Sequence, residues 1–266
     1  MEKSLSFKKT QVSYTDSGKG AVVVLLHGFL ENSTMWDKVI PEICNTNRVL
    51  AIDLLGHGQT ACLGYVHSME LMAEAVFAVL KSLRIRKITL IGHSMGGYVS
   101  LALAEKHPEM VRGLCLLNST ANSDSTARKK LRARASKMVQ DNFTNLVRMS
   151  FVNLFEEERK SLFKSEIENA LNKALKTPLQ GYIACQEGMK IRPDRTNVLK
   201  NNTFKKLMII GKKDPVLNSS DSLKEAKQTN SEIVVLSGGH MSYIENKIDL
   251  TTALKKFIKQ CLQQKY

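Results

Sequence analysis

The chain has 266 residues, of which 43% are apolar and 24% charged, a balance suited to one globular domain carrying an insertion and unsuited to disorder. Its purest early apolar run, residues 21–26, is far shorter than the roughly 20 residues a membrane helix needs, which excludes a span. Thirty-nine Lys and Arg against 25 Asp and Glu leave a net charge of +14, so an anionic partner has to be weighed against a merely solvated basic surface.

Residues 1–11 hold four Lys or Glu charges and no hydrophobic run, which predicts no secretory signal. From Val12 onward strand and helix patterns alternate, the signature of a mostly parallel, doubly wound α/β sheet with helices on both faces. Short apolar runs predict strands at residues 21–26, 48–54, 87–91, 113–117, 206–210 and 232–236. Amphipathic spacing predicts helices starting near Ser33 and over residues 68–83, 96–106 and 248–263. The alternation breaks between residues 121 and 202, where no strand is convincing and several helical patterns appear. This predicts a core domain of residues 1–121 and 203–266, interrupted by a helical cap at residues 122–202.

That insertion carries half of the charge excess: residues 121–200 hold 16 basic and nine acidic side chains. The densest run, from Arg128 to Lys137, reads first as a solvated helix face, with Leu131, Ala135, Met138 and Leu146 as its apolar stripe. It reads second as a patch for an acidic substrate or carrier. No aromatic side chains interleave with the bases, so nucleic acid is not expected. The five cysteines (Cys44, Cys62, Cys115, Cys185 and Cys261) are scattered and never spaced C-x-x-C, which suits a reducing cytoplasm. No histidine pair has metal-ligand spacing, so neither metal nor cofactor is expected.

The chemistry is concentrated at strand ends. Gly92-His93-Ser94-Met95-Gly96-Gly97 follows a predicted strand and opens a predicted helix, the setting of a G-x-S-x-G nucleophile elbow. A serine on so sharp a turn needs small neighbours, hence Gly92, Gly96 and Gly97. The Met95 amide at the helix start points where negative charge would develop. Serine is a weak nucleophile and needs a base held by a third group. Asp214 and His240 each lie just past a later strand, in the order Ser, Asp, His. Asp221 is the fallback acid, although it falls within a helical pattern. His27-Gly28-Phe29 follows the strand at 21–26, so the Phe29 amide can join Met95 as a second oxyanion donor, with His27 bracing the loop. His93 and His57 read as packing and turn residues.

With these motifs in place the chain resembles the α/β-hydrolase superfamily, and within it the small cytoplasmic serine esterases that bear a helical cap. The resemblance rests on the His27-Gly28 loop, the Asp53…Gly56-His57-Gly58 turn, the Ser94 elbow, Asp214 and His240. It implies an acyl-enzyme serine hydrolase acting on an ester or thioester of a small, apolar acyl substrate. Departures prune the options: Ser94 stands where dehalogenases and epoxide hydrolases carry aspartate, and Leu30 where epoxide hydrolases favour proline. Tyr98 stands where a related lyase has arginine, and Asn218 where relatives often have proline. The alternatives are a C–C hydrolase or lyase using the same triad on an anionic metabolite, and a ligand-binding receptor with slow turnover. Acyl length and oligomeric state are not encoded in these motifs.

Overall fold

The computed structural model describes residues 2–263. Eight strands form one sheet: β1 (Glu2–Phe7), β2 (Thr10–Ser17), β3 (Ala21–Leu26), β4 (Asn47–Ile52), β5 (Ile88–His93), β6 (Val111–Leu117), β7 (Lys205–Gly211) and β8 (Glu232–Leu236). Their spatial order is β1-β2-β4-β3-β5-β6-β7-β8. From β4 to β8 every pairing is parallel, whereas β1–β2 and β2–β4 are antiparallel. The predicted strands are all present, with ends shifted by a residue or two. The β1 strand was not expected: only Leu5 and Phe7 of its six residues are large and apolar, and these are partly buried against the core while the strand pairs with β2 as an edge.

The helices are α1 (Ile40–Ile43), α2 (Met69–Ser82), α3 (Met95–Lys106), α4 (Thr126–Asp141), α5 (Phe143–Val152), α6 (Lys164–Ala174), α7 (Leu179–Ile191), α8 (Thr196–Asn201), α9 (Ser219–Gln228), α10 (Ser242–Glu245) and α11 (Lys247–Gln263). They divide between the two faces of the sheet as an alternating pattern requires. On one face α2 and α3 bury Val76, Val79, Val99 and Leu103 against Val24, Leu50 and Leu90. On the other, α11 buries Leu254, Phe257 and Ile258 with Trp36 against Val23, Ile91 and Ile209. The helix expected near Ser33 is a single 3-10 turn, Ser33–Trp36, capped by the Asn32 side chain. Among the described residues no helix is long and apolar enough to cross a membrane.

Between β6 and β7 the chain makes α4 to α8 and no strand. A third apolar cluster there, with Val139, Val147, Phe151, Ile167 and Tyr182, joins Leu30 and Met241 from the loops above the sheet. The apolar stripe expected on the basic run is not the buried one. Leu131 and Met138 are exposed, and Leu146 lies on α5 because α4 ends at Asp141. The face of α4 turned inward carries Ser136 and Val139 together with the largely buried Arg132. Helical spacing puts Arg128 on that face as well, so two bases of the run point into the protein rather than to water.

Candidate active site

Parallel register places the strand ends side by side: Leu26 of β3 lies opposite Gly92 of β5, His93 opposite Leu117 of β6, and Gly211 of β7 opposite Leu236 of β8. Every loop leaving these strands therefore opens at one edge of the sheet, where open α/β folds place ligands.

Ser94 sits between β5 and α3 with φ of 49° and ψ of −114°, a left-handed backbone region that costs a non-glycine residue on the order of 1–3 kcal/mol. The turn is held by Ser94 N–H donating to the Leu117 carbonyl at 3.0 Å and by Ser119 Oγ–H donating to the Ser94 carbonyl at 2.7 Å. The glycines expected to be small are small for identifiable reasons. A Cβ on Gly96 would come within 2.6 Å of the His27 carbonyl oxygen and nearer still to that of Leu26. One on Gly92 would strike the Gly96–Gly97 peptide, and one on Gly97 would strike Ser119.

The turn directs Ser94 Oγ to His240, whose Nε2 is 3.0 Å away, and His240 Nδ1 lies 2.8 Å from Asp214 Oδ2. Since Asp214 accepts at Nδ1, Nε2 carries the lone pair that faces the serine hydroxyl. Burial alone would raise the Asp214 pKa. The charge and hydrogen bond of His240, with the amides of Val216 and Leu217, hold it below 3.8 instead. Asn118 Nδ2 adds a further bond to Asp214 Oδ2 at 3.0 Å, while Asn118 Oδ1 accepts from Ser242 Oγ–H. Asp221, the fallback acid, is on α9, exposed and paired with Lys224.

The amides of the loop after β3 sort themselves by elimination. Gly28 N–H donates to Glu31 Oε2 at 2.8 Å, and Leu30 N–H to His57 Nε2 at 3.1 Å. Among the described residues Phe29 N–H has no acceptor, and Met95, first residue of α3, has no intrahelical partner for its own. His27 accepts from Leu54 N–H through Nε2 and so donates through Nδ1 to the Gly28 carbonyl. Burial depresses both His27 and His57, keeping them neutral, and both brace this loop.

Sequence reasoning missed the role of Glu31. Its Oε2 lies 2.6 Å from His93 Nδ1, and His93 Nε2 lies 2.9 Å from the His240 carbonyl. Both partners are acceptors, so both ring nitrogens must donate and His93 is an imidazolium. Burial alone would lower its pKa, but the charge and hydrogen bond of Glu31 hold it above 6.5. The pair ties the loop after β3 to the residue before Ser94 and to the backbone of His240. Glu31 is four residues beyond His27, and no local pattern marks that a residue 62 positions later is its partner.

The loop bearing His240 is also moored to the segment between β6 and β7. His240 N–H donates to the Leu154 carbonyl at 3.0 Å. The Glu245 carboxylate accepts from Glu156 N–H at 2.9 Å and from Gly239 and Met241 N–H at 3.1 and 3.2 Å. Lys213, beside Asp214, pairs with Glu156 and Glu158.

Over Ser94 and His240 lies a cavity of about 210 Å³, walled by Phe29, Leu30, Phe151, Met189 and Met241, with Arg128 and Arg132 of α4 on one side. The arrangement can supply a nucleophilic oxygen, a base, and two amides for an oxyanion in one largely apolar cavity.

A family model described as alpha/beta hydrolase fold matches residues 21–247. Among solved structures, a thermophilic esterase from Thermogutta terrifontis with malate bound is 28% identical; the match covers 98% of this chain and 99% of that one with a TM-score of 0.92. The enol-lactonase from Burkholderia xenovorans LB400 shares the fold at 20% identity, over 97% of this chain and 100% of that one, with a TM-score of 0.89. Among curated proteins, 2-hydroxymuconate semialdehyde hydrolase of Pseudomonas sp. (strain CF600) is 36% identical over 112 residues, which are 41% of this chain and 40% of that protein. The match to the first curated relatives spans 30% of their length.

Proposed function

The chain belongs to the alpha/beta hydrolase fold family, and on that premise we propose that it is a serine hydrolase cleaving a carboxylic ester or thioester of a small acyl substrate through an acyl-enzyme on Ser94. The observation that carries this reading is the unbroken hydrogen-bonded line from Ser94 Oγ through His240 to Asp214, at 3.0 and 2.8 Å. The likeness to the Thermogutta esterase over nearly the whole chain supports the reaction class.

Ser94 Oγ attacks the carbonyl carbon while His240 Nε2 takes its proton. The carbonyl oxygen gains the negative charge and is received by the Phe29 and Met95 amides, each such donor contributing about 3–4 kcal/mol. Asp214 fixes the imidazole and steadies its cationic form. The intermediate then expels the alcohol or thiol, protonated from Nε2. Water repeats the cycle on the acyl-enzyme and releases the acid, so no step calls on a cofactor. Residues 122–202 serve as the helical cap that closes the cavity, whose modest volume favours a small acyl group.

A second reading, cleavage of a C–C bond by the same three residues, is favoured by the likeness to 2-hydroxymuconate semialdehyde hydrolase. Labelling with a fluorophosphonate probe, mapped by mass spectrometry, tests the nucleophile: the label is expected on Ser94, and labelling elsewhere or nowhere defeats the proposal. Turnover of simple p-nitrophenyl esters then separates ester from C–C chemistry.

A further inference from the structure

The charged groups around the cavity do not balance. Glu31 is occupied by His93, and Asp214 faces His240. Behind the α4 side of the cavity, Asp124 serves two guanidiniums: Arg132 Nε at 2.5 Å and Arg192 Nη1 at 2.7 Å. Arg192 also lies over the Tyr98 ring, 4.0 Å from its centroid, and Arg132 donates to Gln186. Arg128 donates through Nη1 to the Val216 carbonyl at 3.2 Å and, among the described residues, pairs with no carboxylate. It lines the same cavity as Ser94 and His240, and that bond uses one of its five N–H donors. On its other side Arg128 borders a cleft with Asp221 and Glu225, but Asp221 is paired with Lys224. Glu225 is taken up by Thr120, the Ala121 amide and Asn122, and burial pushes its carboxyl toward the neutral form.

We propose that Arg128 receives a carboxylate of the substrate, so that the preferred ester carries a second, ionised acid group at the α4 end of the cavity. This rests on the reading of Ser94 as nucleophile and adds to it the class of molecule that nucleophile meets. A guanidinium offers two parallel N–H groups matched to a carboxylate, and enclosure by Phe151, Leu154 and Met189 strengthens the bond. The apolar walls then hold the chain joining the two functions. Arg128 itself lies on the basic run of α4, whose neighbours Lys129 and Lys130 point to solvent.

The test compares kcat/KM by pH-stat for two matched pairs: monoethyl adipate against ethyl pentanoate, and 3-(butyryloxy)propanoate against propyl butyrate. These place the carboxylate on the acyl arm and on the alcohol arm respectively. The acidic member of at least one pair is expected to lead, and Arg128→Gln to cut that lead about 10- to 100-fold, the worth of one charge-assisted hydrogen-bonded contact. Arg128→Lys should recover part of it, whereas Lys129→Gln and Lys130→Gln should leave it standing. In parallel, calorimetry measures adipate binding to Ser94→Ala with and without Arg128→Gln. No lead in either pair, or a lead that survives Arg128→Gln, overturns the proposal. If Ser94 is not the nucleophile, Ser94→Ala still turns esters over or no ester is cleaved at all, yet adipate still binds in an Arg128-dependent way; loss of that dependence overturns the role of Arg128 on its own.

Discussion

Replacing Glu31 by glutamine removes the counterion of a buried imidazolium while keeping the side chain's shape. In the native protein one oxygen, Glu31 Oε2, accepts from both Gly28 N–H and His93 Nδ1–H, and His93 Nε2–H reaches the His240 carbonyl. An amide cannot preserve all three bonds. If its oxygen stays in place and the ring becomes neutral, the Nε2 lone pair faces the His240 carbonyl. If the ring stays charged, it is buried without a partner, which costs about 3–5 kcal/mol. His93 is held above its ordinary 6.5, so its contribution is full below pH 6.5 and fades as pH rises through the folded value. Burial would raise the Glu31 carboxyl, but the charge and hydrogen bond of His93, with His27 and the Gly28 amide, hold it below 4.5, so its contribution fades only as pH falls through that lower value. The pair therefore contributes most between pH 4.5 and 6.5. Thermal unfolding at pH 5.5 should show Glu31→Gln lower in Tm by roughly 6–20 °C, taking about 2–4 °C per kcal/mol for a chain near this size. At pH 9 the gap should shrink toward the roughly 1–3 kcal/mol of one unmet hydrogen bond. A gap that is absent, constant with pH, or wider at pH 9 refutes the imidazolium assignment.

Asp214→Asn should lower kcat for a p-nitrophenyl ester by up to about 10⁴ while leaving the fold intact, because an amide at this position favours the wrong imidazole tautomer; unchanged turnover would remove Asp214 from the mechanism. Gly96→Ala drives a methyl group into the carbonyls of Leu26 and His27, and backbone cannot rotate aside as a side chain would. Its Tm should fall by the equivalent of about 1–3 kcal/mol or more, with ester turnover lost alongside; a native Tm would show that the elbow is looser than described. Asn118→Ala withdraws one donor from Asp214 and should reduce kcat about tenfold with little change in KM, read by steady-state kinetics.

What could be read in advance was whatever is local. Ser94, Asp214 and His240 each stand at the end of an apolar run, and a parallel sheet brings all such ends to one edge. The glycines of the elbow were legible because the contacts forbidding a side chain follow from the turn itself. Less accessible were features depending on which distant segments meet. The β1 strand has only Leu5 and Phe7 to betray it, too short an alternation to stand out beside Glu2 and Lys3, and much of its support is the pairing with β2. On α4 the spacing of Leu131, Ala135 and Met138 suggested an inward stripe, yet Asp124 and the cavity draw Arg128 and Arg132 inward and leave the leucine and methionine in water. His57 looked like part of a glycine turn. Its bond to Leu30, which leaves Phe29 as the loop's unoccupied donor, appears only once β3 and β4 lie side by side.

The bond from His240 N–H to the Leu154 carbonyl has a mechanical consequence. With Glu245 clasping Glu156 on one side and Gly239 and Met241 on the other, the base hangs from the roof as much as it stands on the floor. A rotation that lifted residues 154–156 to admit a ligand would drag the imidazole off its serine. Lifting that segment and keeping the imidazole beside Ser94 are thereby made alternatives, whereas α4 reaches the same group of residues only indirectly, through Arg128 on the Val216 carbonyl and the Val216 amide on Asp214.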